Sequence, residues 1–285
     1  MNRFPISPNL LEKVAEHQRI MKDLMQSSAV EAMRKLNGLN ETLSSVSRAV
    51  LEAQKQMTEV VNRWKELLRE RDLTLEELAE FLAELNYPPI STDLSIDLLK
   101  DLNNQLRDLE DFDDQVSVLD KFIVEVFHHE YIDEKFEMWN EMDCLKDRIH
   151  IMEEIVMAHK LELFSLSTLA VFPQIEGVLA ETFPDLRNNK GKFNGYYQKR
   201  ALEKVLDTTS DKFDGVWSSY YNKNILKGFQ HLKPIEHLSR HALAHGADKD
   251  YGTVVNSTKS LLIFDYIITE LELYKFITDE KNQNF

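Results

Sequence analysis

Three side chains capable of acid–base or phosphate-binding chemistry lie close together near the C-terminal end of the chain. They are Arg240, His241 and His245, in the run PIEHLSRHALAHGADKDYGT. Arginine is a permanently charged fork that matches phosphate oxygens, and histidine is the side chain whose unperturbed pKa lies near neutral pH. This pair of residue types can stabilise a phosphate and move a proton, which is the chemistry that RNA cleavage requires.

Two other interpretations of this run need no RNA. His237, His241 and His245 are spaced four residues apart, so on a helix they share one face and could hold a metal ion such as zinc. A zincin-type protease needs glutamate directly after its first histidine, whereas Ala242 follows His241. The remaining interpretation is a polar helix end, where His and Arg favour the C-terminal end of the helix dipole. The apolar neighbours of the motif weigh against that last interpretation, because burying an arginine with two histidines normally needs a polar cavity or a ligand.

The composition predicts a helical protein of ordinary hydrophobicity. The chain has 285 residues, of which 43% are hydrophobic and 29% charged, with only eight glycines and seven prolines. Such a balance favours long helices with short connections, and it predicts an all-α fold. The single cysteine, Cys144, excludes an intrachain disulfide and a cysteine-based zinc site, which favours a reducing, cytoplasmic setting. No apolar run approaches the ~18 to 20 residues that cross a bilayer, and the N-terminus lacks a signal-peptide core, so no membrane association is expected.

Charge is distributed unevenly along the chain. The net charge of −15 argues against a nucleic-acid partner, because an acidic surface repels phosphates. Residues 93–141, however, contain fifteen acidic and four basic residues, whereas residues 185–259 contain thirteen basic and eight acidic ones. The Arg/His motif lies in the basic part, where an acidic chain can still focus positive potential on one cleft. We hypothesise that the acidic stretch covers this cleft as an internal mimic of RNA.

The first third of the chain has apolar residues at helical spacing, which predicts two or three amphipathic helices with a break near Asn37-Gly38. Thr74 and Glu77 form a capping box that predicts a new helix start. Pro88-Pro89 must end that helix in an extended connection and is the first candidate boundary.

The run LELFSLSTLAVFPQIEGVLAETF is the most continuously apolar part of the chain and predicts a buried helix. Pro173 either kinks this helix or opens a second segment. Glu176 follows in apolar surroundings, where an unpaired carboxylate is costly, so it needs either a salt bridge or a role at a cavity. We include Glu176 among the candidate substrate-binding residues.

The polar loop NNKGKFNG carries two candidate phosphate contacts, Lys190 and Lys192. It lacks the GxxxxGK[ST] pattern of a Walker loop, so a nucleoside triphosphate site is not predicted. Lys233-Pro234 is expected to open the motif helix and Gly246 to close it. Tyr251, the first tyrosine after the motif, is a further candidate substrate-binding residue.

The segment RHALAHG resembles the R-x4-6-H motif of the HEPN superfamily, whose helical domains include RNA-cleaving toxins and anticodon nucleases. In that family the residue after the arginine is usually Asn, Asp or His, and His241 fits. The resemblance covers roughly residues 143–276. Residues 1–140 precede this region and are expected, from the helical spacing of their apolar residues, to form an amphipathic helical hairpin or bundle that regulates the protein or binds a partner. Residues 141–285 would then form the HEPN-like helical bundle.

The resemblance also implies a function. Arg240 and His245 would be the catalytic pair, assisted by His241, of a metal-independent endoribonuclease without cofactor from a defence or toxin–antitoxin system. HEPN nucleases commonly complete one site across two motif helices, which implies a homodimer, with an antitoxin or sensor as partner. A tyrosine two residues after the histidine is common in toxins paired with a nucleotidyltransferase antitoxin, but Ala247 occupies that position here. The alternative is a catalytically silent HEPN-like module that binds RNA, a nucleotide or a protein.

Overall fold

The computed structural model of the chain describes residues 19, 22–23, 40–90, 94–209, 213–230, 235 and 238–283. Within these ranges the regular structure is entirely helical and contains no strand, which confirms the predicted all-α fold. The predicted break at Asn37-Gly38 and the side chain of His237 lie outside the described residues. None of the helices in these ranges combines the length and apolarity that spanning a bilayer requires.

The α-helices have the following bounds in chain order: α1 (Asn40–Glu84), α2 (Ile96–Arg107), α3 (Phe112–Val126), α4 (His129–Asn140), α5 (Ile149–Lys160), α6 (Phe164–Thr182), α7 (Gly195–Thr209), α8 (Asp214–Tyr220), α9 (Arg240–Ala244) and α10 (Val254–Gln283). A 3₁₀ turn (Asp143–Leu145) precedes α5, and a π-helical turn (Tyr221–Ile225) continues α8. The described residues divide into two compact units, one that ends at residue 73 and one that begins at residue 74.

The unit that ends at residue 73 contains the first part of α1. Apolar side chains recur along this part of the helix, as the sequence predicts, and Leu51, Met57 and Val60 are exposed.

The predicted helix start at Thr74 is wrong, because α1 continues through this residue to Glu84 without interruption. Leu75, Leu78 and Leu82 follow at helical spacing and are buried. In a continuous helix the backbone N–H groups that follow Thr74 donate to carbonyls four residues earlier, so they need no cap. The backbone carbonyl of Thr74 accepts a hydrogen bond from Asn103 Nδ2 at 2.9 Å.

The core of the unit of residues 74–285 is built around α6 and α10, which pack along each other. Helices α5 and α7 pack against α6, while α3 and α7 contact α10. Helix α4 joins the same core, since Trp139 Nε1 donates to Asp265 Oδ1 of α10 at 2.8 Å and the Trp139 ring packs edge-on against Phe264. The expected boundary between residues 140 and 141 thus falls inside one compact unit. The division of labour between the two halves stays a prediction.

Candidate functional site

The motif helix is far shorter than the sequence predicts. Ile235, Leu238 and Ser239 are not helical, so the prediction of a helix that opens at Lys233-Pro234 is wrong over these residues. Helix α9 begins at Arg240, and Ser239 is its N-cap, with Oγ accepting from Ala242 N at 3.3 Å. The same hydroxyl donates to the carbonyl of Lys227 at 2.8 Å, which holds the chain extended before the helix. Gly246 ends the helix with φ +64°, as predicted.

Arg240 and His241 line a pocket of about 520 Å³ that is open to solvent. The opposite wall is one face of α6, which contributes Phe172, Pro173 and Glu176. Helix α6 is continuous through Pro173. Because proline has no N–H, the carbonyl of Leu169, another lining residue, receives no helical hydrogen bond from position 173. The pocket therefore combines basic side chains with a wall that is apolar apart from the carboxylate of Glu176 and the carbonyl of Leu169.

Arg240 is held by Glu176. The guanidinium Nη1 donates to Glu176 Oε2 in an ion pair whose arginine side chain is 13% exposed and whose glutamate is 36% exposed. The sequence left two roles open for Glu176, and the structure places it both in a salt bridge and at the pocket. Arg240 Nε is buried and has no hydrogen-bond partner among the described residues. An unpaired buried donor is costly, so this N–H favours an acceptor such as a phosphate oxygen.

His241 carries a depressed pKa. Burial is the largest cause, the positive charges of Arg240 and His245 add to it, and Glu176 opposes it. The imidazole of His241 is therefore more readily neutral at pH 7 than a free histidine, and a neutral imidazole can accept a proton.

His245 stands one turn further along, as the C-cap of α9. Its side chain is exposed, and its ring lies 5.8 Å from that of Phe229 at an interplanar angle of 31°. It does not line the pocket that Arg240 and His241 share. Within one chain, the site is thus an arginine and a histidine of lowered pKa in a pocket, with the second histidine on the neighbouring outer surface.

Lys190 and Lys192 lie in an exposed loop whose next residue, Phe193, lines the pocket. The backbone N–H groups of both lysines donate to Asn188 Oδ1 at 2.9 Å, and Gly191 adopts φ +72° between them. The amide of Asn188 therefore shapes a turn that presents both ammonium groups to solvent beside the pocket.

Tyr251 is not part of this pocket. It is half-buried and lines a different cavity, with Asn86, Asn224 and Lys259. The structure therefore brings Glu176 together with Arg240 and His241, places the Lys190–Lys192 loop beside them, and separates Tyr251 from them.

Arg148 also lines the pocket, although it was not among the site residues predicted from the sequence. Its guanidinium donates to Gln174 Oε1 at 3.0 Å and pairs with Glu181. It lies flat against α6 at Gly177, where an added Cβ would stand 2.5 Å from both Nη atoms. A glycine inside a helix costs about 1 kcal/mol relative to alanine, so its presence was a usable signal of close approach. Nothing in the sequence pattern indicates which side chain fills that space.

No group of three or more potential metal ligands occurs among the described residues, a set that does not include His237. The acidic residues of the stretch 93–141 include Asp120, which pairs with Lys259, and Asp133, which pairs with Lys160. Neither lysine lines the Arg240 pocket. Covering of the basic cleft by the acidic stretch stays a prediction.

The arrangement can bind an anion in the pocket and exchange a proton beside it.

Comparisons of the chain with models of protein families, with curated proteins and with solved structures find no significant match.

Proposed function

We propose that the protein is a metal-independent endoribonuclease of the HEPN type, acting in a defence or toxin–antitoxin system. One observation carries the proposal: Arg240 and His241 share an open pocket, and His245 lies on the adjacent surface. An arginine with a buried, unpartnered Nε–H beside a histidine of lowered pKa is a set that can hold a phosphate and remove a proton.

In the proposed reaction the ribose 2′-OH attacks the adjacent phosphorus and the bond from phosphorus to the 5′-oxygen breaks. One histidine accepts the proton of the 2′-OH, and a second supplies a proton to the departing 5′-oxygen. Arg240 stabilises the negative charge that builds on the phosphate oxygens. The products are a 2′,3′-cyclic phosphate and a 5′-OH end. DNA lacks the 2′-OH nucleophile, so the substrate is RNA.

The proposed assembly is a homodimer with a composite site. Arg240 and His245 are on different parts of α9, one in the pocket and one outside it, so a single chain presents only part of the set to one substrate. Cleavage per mole of chain should therefore fall on dilution, in step with loss of dimer by light scattering. Cleavage per mole that stays constant through complete dissociation would contradict the composite site.

The test is cleavage of total RNA by the full chain in EDTA, beside Arg240→Ala and His245→Ala. Loss of a transition-state donor or an acid–base group costs about 100-fold or more, so both variants should lose nearly all cleavage. Arg200→Ala and His150→Ala are matched controls, because both side chains are exposed and lie outside the pocket. Cleavage that persists in both site variants would refute the assignment of the pair, and cleavage that EDTA abolishes would indicate a histidine-based metalloenzyme instead.

The second candidate is a silent HEPN-like module that binds RNA, a nucleotide or a protein. It is favoured by the ion pair between Arg240 and Glu176, because a guanidinium already paired with a carboxylate has less charge to offer a phosphate. RNA that remains intact with the unaltered protein, but is bound by it in a manner that Arg240→Ala weakens, would support this candidate over the nuclease.

A further inference from the structure

A second pocket, of about 400 Å³, lies beside the segments that lead into and out of α9. Leu238, two residues before Arg240, lines one side, and Asp248, four residues after the helix, lines another. The facing wall comes from Asn86, just after α1, and from Asn224 of the π-helical turn. This pocket is distinct from the one that contains Arg240.

The polar wall of the second pocket has a fixed geometry. The amides of Asn86 and Asn224 exchange two hydrogen bonds of 3.0 Å, and Asn224 Nδ2 also donates to the carbonyl of Tyr220 at 3.1 Å. Asn86 adopts φ +49°, a left-handed conformation that asparagine tolerates better than most residues. The π-helical turn shifts Asn224 out of α-helical register, and such turns are frequent at functional sites. The amide pair therefore presents a rigid set of donors and acceptors.

The charge of the lining excludes anions. Lys259 pairs with Asp120 at 2.8 Å and lies 4.2 Å from the ring centroid of Tyr87, so its positive charge is already compensated. Asp248 and Asp250 remain at the rim, where Asp250 N donates to Asp248 Oδ1 at 3.0 Å. Neither carboxylate has an ion pair among the described residues, so the two repel a phosphate and accept hydrogen bonds from hydroxyl or amino groups.

We propose that this second pocket binds a small ligand that donates hydrogen bonds and carries no negative charge, with an unphosphorylated nucleoside as the best fit. The volume is within the range of small-molecule sites, which combine apolar and aromatic surface with a few placed polar groups. Tyr220 and Tyr251 supply ring surface, and the amide of Asn86, which keeps one N–H and one oxygen lone pair beyond its bonds to Asn224, can pair with a base edge. Rim carboxylates bind ribose hydroxyls in the same manner as the acidic residue of dinucleotide-binding folds.

Hydrogen bonds connect this pocket to α9. Ser239 Oγ joins the carbonyl of Lys227, just beyond the π-helical turn, to the backbone N–H of Ala242 inside α9. On the other side, Ala247 N donates to Ala242 O at 2.8 Å. A ligand that contacts Leu238 and Asp248 therefore contacts the segments directly bonded to both ends of the motif helix. Binding of the ligand therefore changes the position of α9 and with it the rate of RNA cleavage. This regulatory part of the inference rests on the proposed nuclease function.

Isothermal titration of the full chain with the four ribonucleosides, their 5′-monophosphates and spermidine tests the binding step. We expect saturable binding of at least one nucleoside and at least about 10-fold weaker binding of its monophosphate, because the phosphate meets Asp248 and Asp250. Binding of spermidine but of no nucleoside would still support a ligand that donates hydrogen bonds and carries no negative charge. The ligand would then be a polyamine. Lack of saturable binding by every nucleoside and by spermidine overturns the proposal, as does a monophosphate that binds as tightly as its nucleoside.

The combined substitution of Asp248→Asn and Asp250→Asn, which keeps the size of both side chains, should weaken binding of the nucleoside or of spermidine about 10-fold. Asp185→Asn is the matched control, because this exposed carboxylate lies outside the pocket and should leave binding unchanged. Equal loss in the rim variant and in the control would overturn the location of the site.

The variant Arg240→Ala tests ligand binding at the second pocket independently of RNA cleavage. The variant should bind the ligand as the unaltered protein does, since Arg240 does not line the second pocket. In the unaltered protein the ligand should change the rate of RNA cleavage at least about 3-fold, and the rim variant should abolish that change. Binding without any change in rate overturns the effector step, whereas binding by a protein that cleaves no RNA leaves the site intact and refutes the nuclease alone.

Discussion

His241 is the residue of the proposed site whose charge is set by its neighbours. Burial and the positive charges of Arg240 and His245 lower its pKa, while Glu176 raises it. The protonated form is therefore disfavoured at neutral pH, so His241 suits a proton acceptor better than a phosphate-binding cation. The permanent charge of Arg240 leaves phosphate binding to the guanidinium.

Substitutions of the two charged neighbours should move the pKa of His241 in opposite directions. Glu176→Gln removes a negative charge that favours the imidazolium and should lower the pKa of His241 further. Arg240→Ala removes a repelling charge and should raise it. NMR titration of the histidine ring protons measures both shifts, with the exposed ring of His150 as an internal reference. Two shifts of the same sign would show that altered burial, not the neighbouring charges, determines the pKa.

Gly177 gives α6 the space to accept the guanidinium of Arg148. Gly177→Ala would place a Cβ 2.5 Å from both Nη atoms and displace Arg148 from Gln174 and Glu181. Alanine is favoured over glycine inside a helix by about 1 kcal/mol, and a partly exposed ion pair contributes about 0 to 1 kcal/mol, so the two effects nearly cancel. Stability to denaturant should change by less than about 1 kcal/mol.

RNA binding should nevertheless weaken in Gly177→Ala, because Arg148 lines the pocket and loses its position. Arg148→Ala serves as the reference, and combining both substitutions should weaken RNA binding no more than Arg148→Ala alone. Additive losses would mean that Gly177 acts on the pocket independently of Arg148.

The interface of α5, α6 and α10 contains a buried histidine that should make stability depend on pH. His159 is 3% exposed, its Nδ1 lies 2.7 Å from Ser257 Oγ, and Ser257 Oγ donates to Ser167 Oγ at 3.0 Å. Burial, with a smaller contribution from His129, lowers the pKa of His159 to about 4. Unfolded histidine binds a proton near pH 6.5, so the folded state loses stability as the pH falls from 6.5 towards 4.

The neutral form of His159 should therefore contribute about 2 kcal/mol at pH 7 that is lost by pH 5. Urea denaturation at the two pH values should show this loss in the unaltered protein and a smaller one in His159→Gln. His150→Gln is the matched control, since His150 is on the exposed side of the same helix and should leave the pH dependence intact. Equal pH dependence in all three proteins would contradict the assignment to His159.

At the scale of the whole molecule, periodic burial was predictable and local exceptions were not. The helical spacing of apolar residues indicated the all-α fold, and Gly246 marked the end of α9. The capping box at Thr74 did not predict a helix start correctly, because in the continuous helix α1 the backbone N–H groups after Thr74 donate to carbonyls one turn earlier. The predicted start of α9 was wrong because the hydroxyl of Ser239 donates a hydrogen bond to the carbonyl of Lys227. No local pattern indicates this contact, since the two residues are twelve positions apart. Tyr251 was grouped with the motif by sequence proximity alone, yet the chain turns it into the other pocket.

The overall charge of the molecule limits how it can bind RNA. With a net charge of −15, attraction must come from a few local cations, and Arg240 and Arg148 are already paired with glutamates. Lys190 and Lys192 are exposed and have no ion pair among the described residues. Single-stranded binding loses about 0.7 logarithmic units of affinity per tenfold rise in salt for each phosphate neutralised, so two lysines predict a slope of about −1.4.

This slope can be measured by fluorescence anisotropy with short single-stranded RNA, in a His245→Ala background that keeps the RNA intact. Removing both ammonium groups with Lys190→Ala and Lys192→Ala should make the slope less steep by about 1.4 and weaken binding most at low salt. Lys199→Ala, on the exposed face of α7 and paired with Glu203, is the matched control and should leave the slope unchanged. A slope steeper than about −4 would require more phosphate contacts than the Lys190–Lys192 loop offers, and it would move the RNA path to another surface.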